Sequence, residues 1–174
     1  MIFVYIILGI VVLFILLALI APKKLEVKRD IDINCSKEKA FGYLKFVKNQ
    51  NEWSPWKKKD PSMKQEFEGI DGTVGFISKW EGNKQVGTGE QEIKEIIEET
   101  QINTELRFLK PWKSVSDAYL IVDGKGDNQC NVTWGFKGRN KIPINVLMLF
   151  MNMDKVMGKD FNEGLESLKE LLEK

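Results

Sequence analysis

Histidine is absent from all 174 residues, so the side chains best suited to acid and base chemistry are Glu81, Asp117 and Tyr119. The absence of histidine removes the usual zinc ligand, the usual general base, and any serine or cysteine triad built on imidazole. Asp117 lies in the run Val115 to Val122, in which residues two apart share a face. If Tyr119 and Ile121 point inward, Asp117 does too, and a carboxylate held away from water needs a partner or a raised pKa. The alternative is an exposed Asp at a strand end. The run Gly87-Thr88-Gly89-Glu90 is not a phosphate cradle, because it lacks a further glycine and the strand-to-helix context. The sequence predicts no cofactor and no metal. Cys35 and Cys130 have no neighbouring cysteines, which predicts free buried thiols in a reducing compartment.

Binding chemistry has more candidates. Trp53, Trp56, Trp80, Trp112 and Trp134 each combine a large apolar body with one donor, and can serve as pocket walls or as ordinary core. Strand parity puts Val74, Phe76, Ser78 and Trp80 on one face, and Cys130, Val132, Trp134 and Phe136 on another. Gly87 and Gly89 leave little side-chain volume at the start of their strand, which either admits a ligand or lets Trp80 fold across them. Lys57, Lys58 and Lys59 follow a Trp-Pro-Trp corner, an arrangement suited to a lipid headgroup layer or to a solvated loop.

The elements that must position these residues follow from hydropathy patterning. Residues 2–21 carry no charge, and as a helix they extend about 30 Å, one bilayer core. The run lacks a basic leader, has Leu19 where a signal cleavage site wants a small residue, and is followed by Pro22. It reads as an anchor over residues 1–22 that is retained. Lys23, Lys24, Lys28 and Arg29 crowd its C-terminal flank, which predicts that residues 23–174 form a domain in the cytoplasm. Leu25 to Ile33 alternates as a strand, and Ser36 caps a short helix carrying Ala40, Phe41, Leu44 and Val47. A broken helical stretch holding Pro55 follows. Six short β-like runs then span Lys64–Glu68, Thr73–Trp80, Val86–Ile97, Gln101–Leu109, Val115–Val122 and Gln129–Phe136. Their short junctions predict an antiparallel meander. From Ile144 to Lys174 the apolar residues recur at helical spacing, predicting one long amphipathic helix with Pro143 at its first turn. The resulting class is α+β, a curved sheet of about seven strands wrapped around the last helix.

The stretches WSPWKKKDPSMK, TVGFISKWEGNKQVGTGEQEI, LRFLKPWK, NVTWGFKGRN and LMLFMNMDKVMGKDFNEGLESLK make the chain from Leu25 to Lys174 resemble the polyketide cyclase and dehydrase-like branch of the SRPBCC superfamily. The resemblance implies the helix-grip fold shared with lipid-transfer START domains and the birch pollen allergen. It also implies a cavity for a small hydrophobic molecule, lipid-like or polyketide-like, between sheet and C-terminal helix. No catalytic residues carry over from it. The pocket candidates are Trp53, Trp56, Phe76, Trp80, Gly89, Asp117, Tyr119 and Trp134, with Leu147 and Met151 from the final helix. Expected partners are a small hydrophobic molecule and membrane lipid. Nucleic acid is not expected, since 26 basic against 25 acidic residues give a net charge of only +1. Three readings stay open: a membrane-anchored ligand carrier, a cyclase or dehydratase using Asp117, Glu81 or Tyr119, and a ligand-free adaptor whose cavity is filled by its own side chains.

Overall fold

The structure, a computed structural model, describes residues 2–139, 142, 144–147 and 149–174. The apolar helix α1 (Ile2–Ile20) leads into β1 (Lys24–Ile33). Helix α2 (Lys37–Leu44) begins where the Ser36 hydroxyl accepts the Lys39 amide, and its apolar residues Ala40, Phe41 and Leu44 face inward. A 3-10 turn at Val47–Asn49 continues into α3 (Gln50–Trp53) and α4 (Pro55–Lys59). Pro55 sits in the first turn of α4, where its missing N–H is not needed. The strands β2 (Lys64–Glu68), β3 (Ile77–Glu81), β4 (Thr88–Ile97), β5 (Gln101–Lys110), β6 (Ser114–Gly124) and β7 (Cys130–Arg139) follow, then α5 (Ile144–Leu147) and α6 (Met153–Leu172).

All strand pairs are antiparallel, in the order β1-β7-β6-β5-β4-β3-β2, so the first strand closes on the last and the rest form a meander. Register shifts in β4 at Thr88/Gly89 and Ile93/Glu95 add local twist. The concave face carries Val27 and Ile33 of β1, Val132, Trp134 and Phe136 of β7, and Leu120 and Val122 of β6. Helix α6 lays Phe161, Leu165, Leu168 and Leu172 against it. Gly164 is what allows the close approach, because a Cβ there would lie 2.7 Å from Trp134 and 3.1 Å from Pro55.

Two expectations are corrected. The strand predicted from Thr73 begins at Ile77, since Gly72 and Gly75 adopt φ of 80° and 89° and the Thr73 amide turns back to the Ile70 carbonyl. The single helix predicted from Ile144 is two helices, because Asn152 caps a new start by accepting the Lys155 amide at 2.9 Å. The apolar period runs across the break, so periodicity alone could not reveal it. Pro143 lies outside the described residues. The two thiols are buried and free, and stand 3.9 Å apart, since β1 ends opposite the start of β7.

Candidate functional site: a cavity between sheet and helix

The curved sheet and the straight helix α6 do not meet everywhere, and between them lies a cavity of about 370 Å³. Its sheet wall comes from alternate residues of adjacent strands: Ser78 and Trp80, Gln91, Leu106 and Phe108, Ala118, and Trp134 and Phe136. Met153, Met157 and Phe161 of α6 form the opposite wall, and Gln50, Ser54, Trp56 and Met63 close one side. The aromatic groups are mutually braced. Trp134 stacks on Phe161 at 4.2 Å between centroids, Trp53 meets Trp134 edge-on at 4.9 Å, and Trp80 meets Phe108 edge-on at 5.9 Å.

The wall is mainly apolar, and its polar groups are almost all neutral. Gln91 donates to the Thr104 hydroxyl at 3.1 Å, which in turn donates to the Ala118 carbonyl at 3.3 Å. Ser54 is buried on the wall, and its hydroxyl has no hydrogen-bond partner among the described residues. Such a group costs free energy unless something satisfies it, so it is a ready contact for a polar atom entering the cavity. Lys57 supplies the wall's single charge and donates to the Met63 carbonyl at 3.2 Å; no Asp or Glu lines the cavity among the described residues.

The fold that frames this cavity is shared by proteins of known structure. Norcoclaurine synthase from Thalictrum flavum, solved as a point mutant with a transition-state analogue, matches with a TM-score of 0.63 at 12% identity, over 86% of this chain and 94% of that one. The Aha1 dimer from Colwellia psychrerythraea matches with a TM-score of 0.59 at 16% identity, over 86% and 96% of the two chains. Ara h 8.0201 matches with a TM-score of 0.55 at 13% identity, over 86% and 97%. The chain has the helix-grip fold. Comparison with family models and with curated proteins finds no match.

The helix-grip cavity gathers some of the residues expected to form it and leaves others out. Trp56, Trp80 and Trp134 line it. Trp53 is fully buried one layer behind Trp134, and Phe76 is fully buried beside Phe67, at 6.0 Å between centroids and off the wall. Gly89 is occupied from above: a Cβ there would lie 2.6 Å from Trp80, so of the two uses open to this glycine, the tryptophan folding across it is the one observed. Gly87 has φ of 73° and serves a turn against the Lys110 carbonyl.

Asp117 and Tyr119 are the clear departures. The inward set on β6 is Ser116, Ala118, Leu120 and Val122, paired across to Gly138, Phe136, Trp134 and Val132. Asp117 is exposed on the convex face, opposite Lys137. Tyr119 lies over Gly135 on that same face and donates to Glu26 at 3.1 Å, and burial followed by the Glu26 carboxylate raises its pKa. Both parities of β6 carry apolar residues, so only the pairing with β7 decides which side is in. Glu81 is exposed at the end of β3 and off the wall. Met151 is exposed between α5 and α6, and the Leu147 side chain lies outside the described residues. Ser54, Leu106, Phe108, Met153 and Met157 line the wall without having been singled out. For Leu106 and Phe108 the signal was available in their alternation with Ile102 and Thr104 along one face of β5.

The basic run after the Trp-Pro-Trp corner is engaged inside the domain. Lys58 donates to the Ser167 hydroxyl at 2.9 Å, and Lys59 pairs with Asp160 at 2.6 Å while lying 4.5 Å over the Trp56 ring. These lysines fix α4 on α6 and so hold one wall of the cavity. Among the described residues no group of three His, Cys, Asp or Glu side chains could hold a metal.

Proposed function

We propose that this protein is a membrane-tethered helix-grip domain that binds a small, mostly apolar molecule between its sheet and α6. Residues 1–22 are the tether and residues 23–174 the binding domain. The cavity of about 370 Å³ carries this reading, because a core that fills its own space leaves few voids larger than a water molecule. Its lining suits a neutral or anionic amphiphile, lipid-like or polyketide-like: the one charge is that of Lys57, and Ser54 and Gln91 can meet a hydroxyl or carbonyl. Helix α1 is long and apolar enough to cross a membrane, and nearly all of its side chains are exposed, as lipid contact would require. The acid and base candidates Asp117, Glu81 and Tyr119 lie off the cavity wall, so the geometry favours carriage over a cyclase or dehydratase reaction. The adaptor reading needs a cavity filled by the protein's own side chains, and the volume argues against it.

Native mass spectrometry of the full chain tests the proposal. The wild type is expected to release a bound molecule on activation, or to take one up from a panel of fatty acids, isoprenoids and polyketides. Ala118→Phe, which pushes a ring into the void, should lose that mass and keep a similar melting temperature. A wild type that carries and accepts nothing, or a filled variant that binds equally well, would overturn it.

A further inference from the structure

One end of the sheet is tied to the last turn of α1. Pro22 has no N–H, so the Ala18 carbonyl lacks the amide that an unbroken helix would have supplied four residues on. Asn145 of α5, fully buried, donates its side-chain N–H to that carbonyl at 2.8 Å. Ala18 and Ala21 are themselves buried, and their small size lets α5 lie close to α1. This contact sets α5 at the level where the apolar helix ends.

The registers show what else lies at this level. The start of β1 at Lys24 pairs with Arg139 at the end of β7, β6 starts beside it, and β5 ends at Lys110. Adjacent strands stand about 4.8 Å apart, so the turn joining β5 to β6 is within roughly 15 Å of β1 laterally. Exposed apolar side chains mark two segments: Trp112, 73% exposed, with Leu109 and Val115 in and beside the β5–β6 turn, and Phe150, 79% exposed, with Leu149 and Met151 in the stretch that leads from α5 to α6. The fixed charges in segments 20–25, 109–115 and 137–139 are all positive, Lys23, Lys24, Lys110, Lys113, Lys137 and Arg139, of which Lys137 pairs with Glu26 at 3.5 Å. Of the neighbouring β3–β4 loop, Glu81 stands at the start and Lys84 within it. Aromatic side chains among basic ones match an anionic headgroup layer. The part-exposed apolar lining of the cavity, Leu25, Val86, Phe108 and Met153, belongs to this same end.

We propose that this end of the domain docks on the bilayer that α1 crosses, with the β5–β6 turn and residues 149–151 in the headgroup layer, so that the cavity rim opens onto lipid. The proposal rests on the tether reading. The occupant of the surface is an anionic bilayer, because four residues from Ile20 to Lys24 span at most about 14 Å and cannot hold this face far from it.

Spin labels on the full chain in nanodiscs of phosphatidylcholine and phosphatidylglycerol test it, with single substitutions Ile10→Cys, Gln85→Cys, Trp112→Cys, Phe150→Cys and, at the far end of the sheet, Asp127→Cys. All five positions are exposed, and the native thiols are buried. Labels at 112 and 150 should collide with oxygen in preference to a water-soluble nickel complex, and the rim label at 85 should meet nickel several-fold less than the label at 127. Added salt should weaken the contrast. If 85, 112 and 150 are as water-accessible as 127 while 10 is in lipid, docking fails and the tether stands. If 10 is itself aqueous, the tether reading fails and takes the docking proposal with it.

Discussion

Asp60 shows how one buried carboxylate organises the rim of the cavity. It accepts the Ser62 hydroxyl at 2.7 Å, the Asn83 amide at 2.7 Å and the Ser62 amide at 3.1 Å, joining the α4–β2 turn to the β3–β4 loop. These bonds, the Ser62 hydroxyl foremost, favour the ionised form and hold its pKa below the ordinary value. A depressed folded pKa means that the stability it contributes is complete above the ordinary carboxylate pKa and is lost as the pH falls through the lowered value. The melting temperature of Asp60→Asn should lie below that of wild type at pH 7, and the gap should close as the pH falls into that acid range. Cys130 follows the opposite logic. Burial, then the neighbouring Cys35, pushes the Cys130 thiol up to about 12. With Cys130 lacking the nucleophilic thiolate and Cys35 buried away from the reagent, neither should react with iodoacetamide at pH 8 in the native protein, and both should react in urea, as intact mass will show.

At the scale of elements, the grip of α6 on the sheet depends on a glycine and a cap. Gly164 lies against Trp134, which is pinned between Trp53 and Phe161 and cannot swing away. Gly164→Val should cost about 1–3 kcal/mol through overpacking, read as a lowered urea midpoint at unchanged slope. Asn152→Ala removes the cap of α6 and should cost about 1 kcal/mol. On β6 the parity leads to a null result: Asp117→Asn is on the convex face and should leave ligand binding unaltered, with stability within about 0.5 kcal/mol of wild type. That face is also where Arg107 bridges Glu90, Glu92 and Glu105 across β4 and β5, which draws the Glu92 carboxyl below its ordinary pKa. Most charges of the sheet thus lie on its outside; the concave side holds apolar and neutral groups and Arg29, which pairs with Asp154 of α6 at 2.9 Å.

For the whole molecule, the question is how the proposed tether, the cavity and the basic strand-end face would work together. A carrier held beside its source need not search three dimensions for an apolar ligand, and a rim set against the bilayer spares that ligand a passage through water. The orientation of the tether is open to a direct measurement. With Lys23, Lys24, Lys28 and Arg29 on the C-terminal flank, a reporter that is active only in the cytoplasm should be active when fused to the C-terminus. Any ligand that enters the cavity should also raise the melting temperature of the whole domain with its concentration, since it binds the folded state alone.

The class of architecture, the strand count, the apolar helix and the amphipathic last helix were all legible in the residues, because each rests on a local period or a local cap. The family resemblance added the cavity as an expectation. Tertiary structure alone decided which parity of β6 faces inward, since Val115, Tyr119 and Ile121 on one face and Ala118, Leu120 and Val122 on the other are both substantially apolar and only pairing with β7 separates them. It also decided that Trp80 covers Gly89, that Lys58 and Lys59 turn to α6, and that Asn145 supplies what Pro22 withholds from Ala18. These are contacts between residues far apart in the chain. Nothing in a local pattern encodes them, because burial and partner are set by the registers of the sheet and the angle at which the helix crosses it.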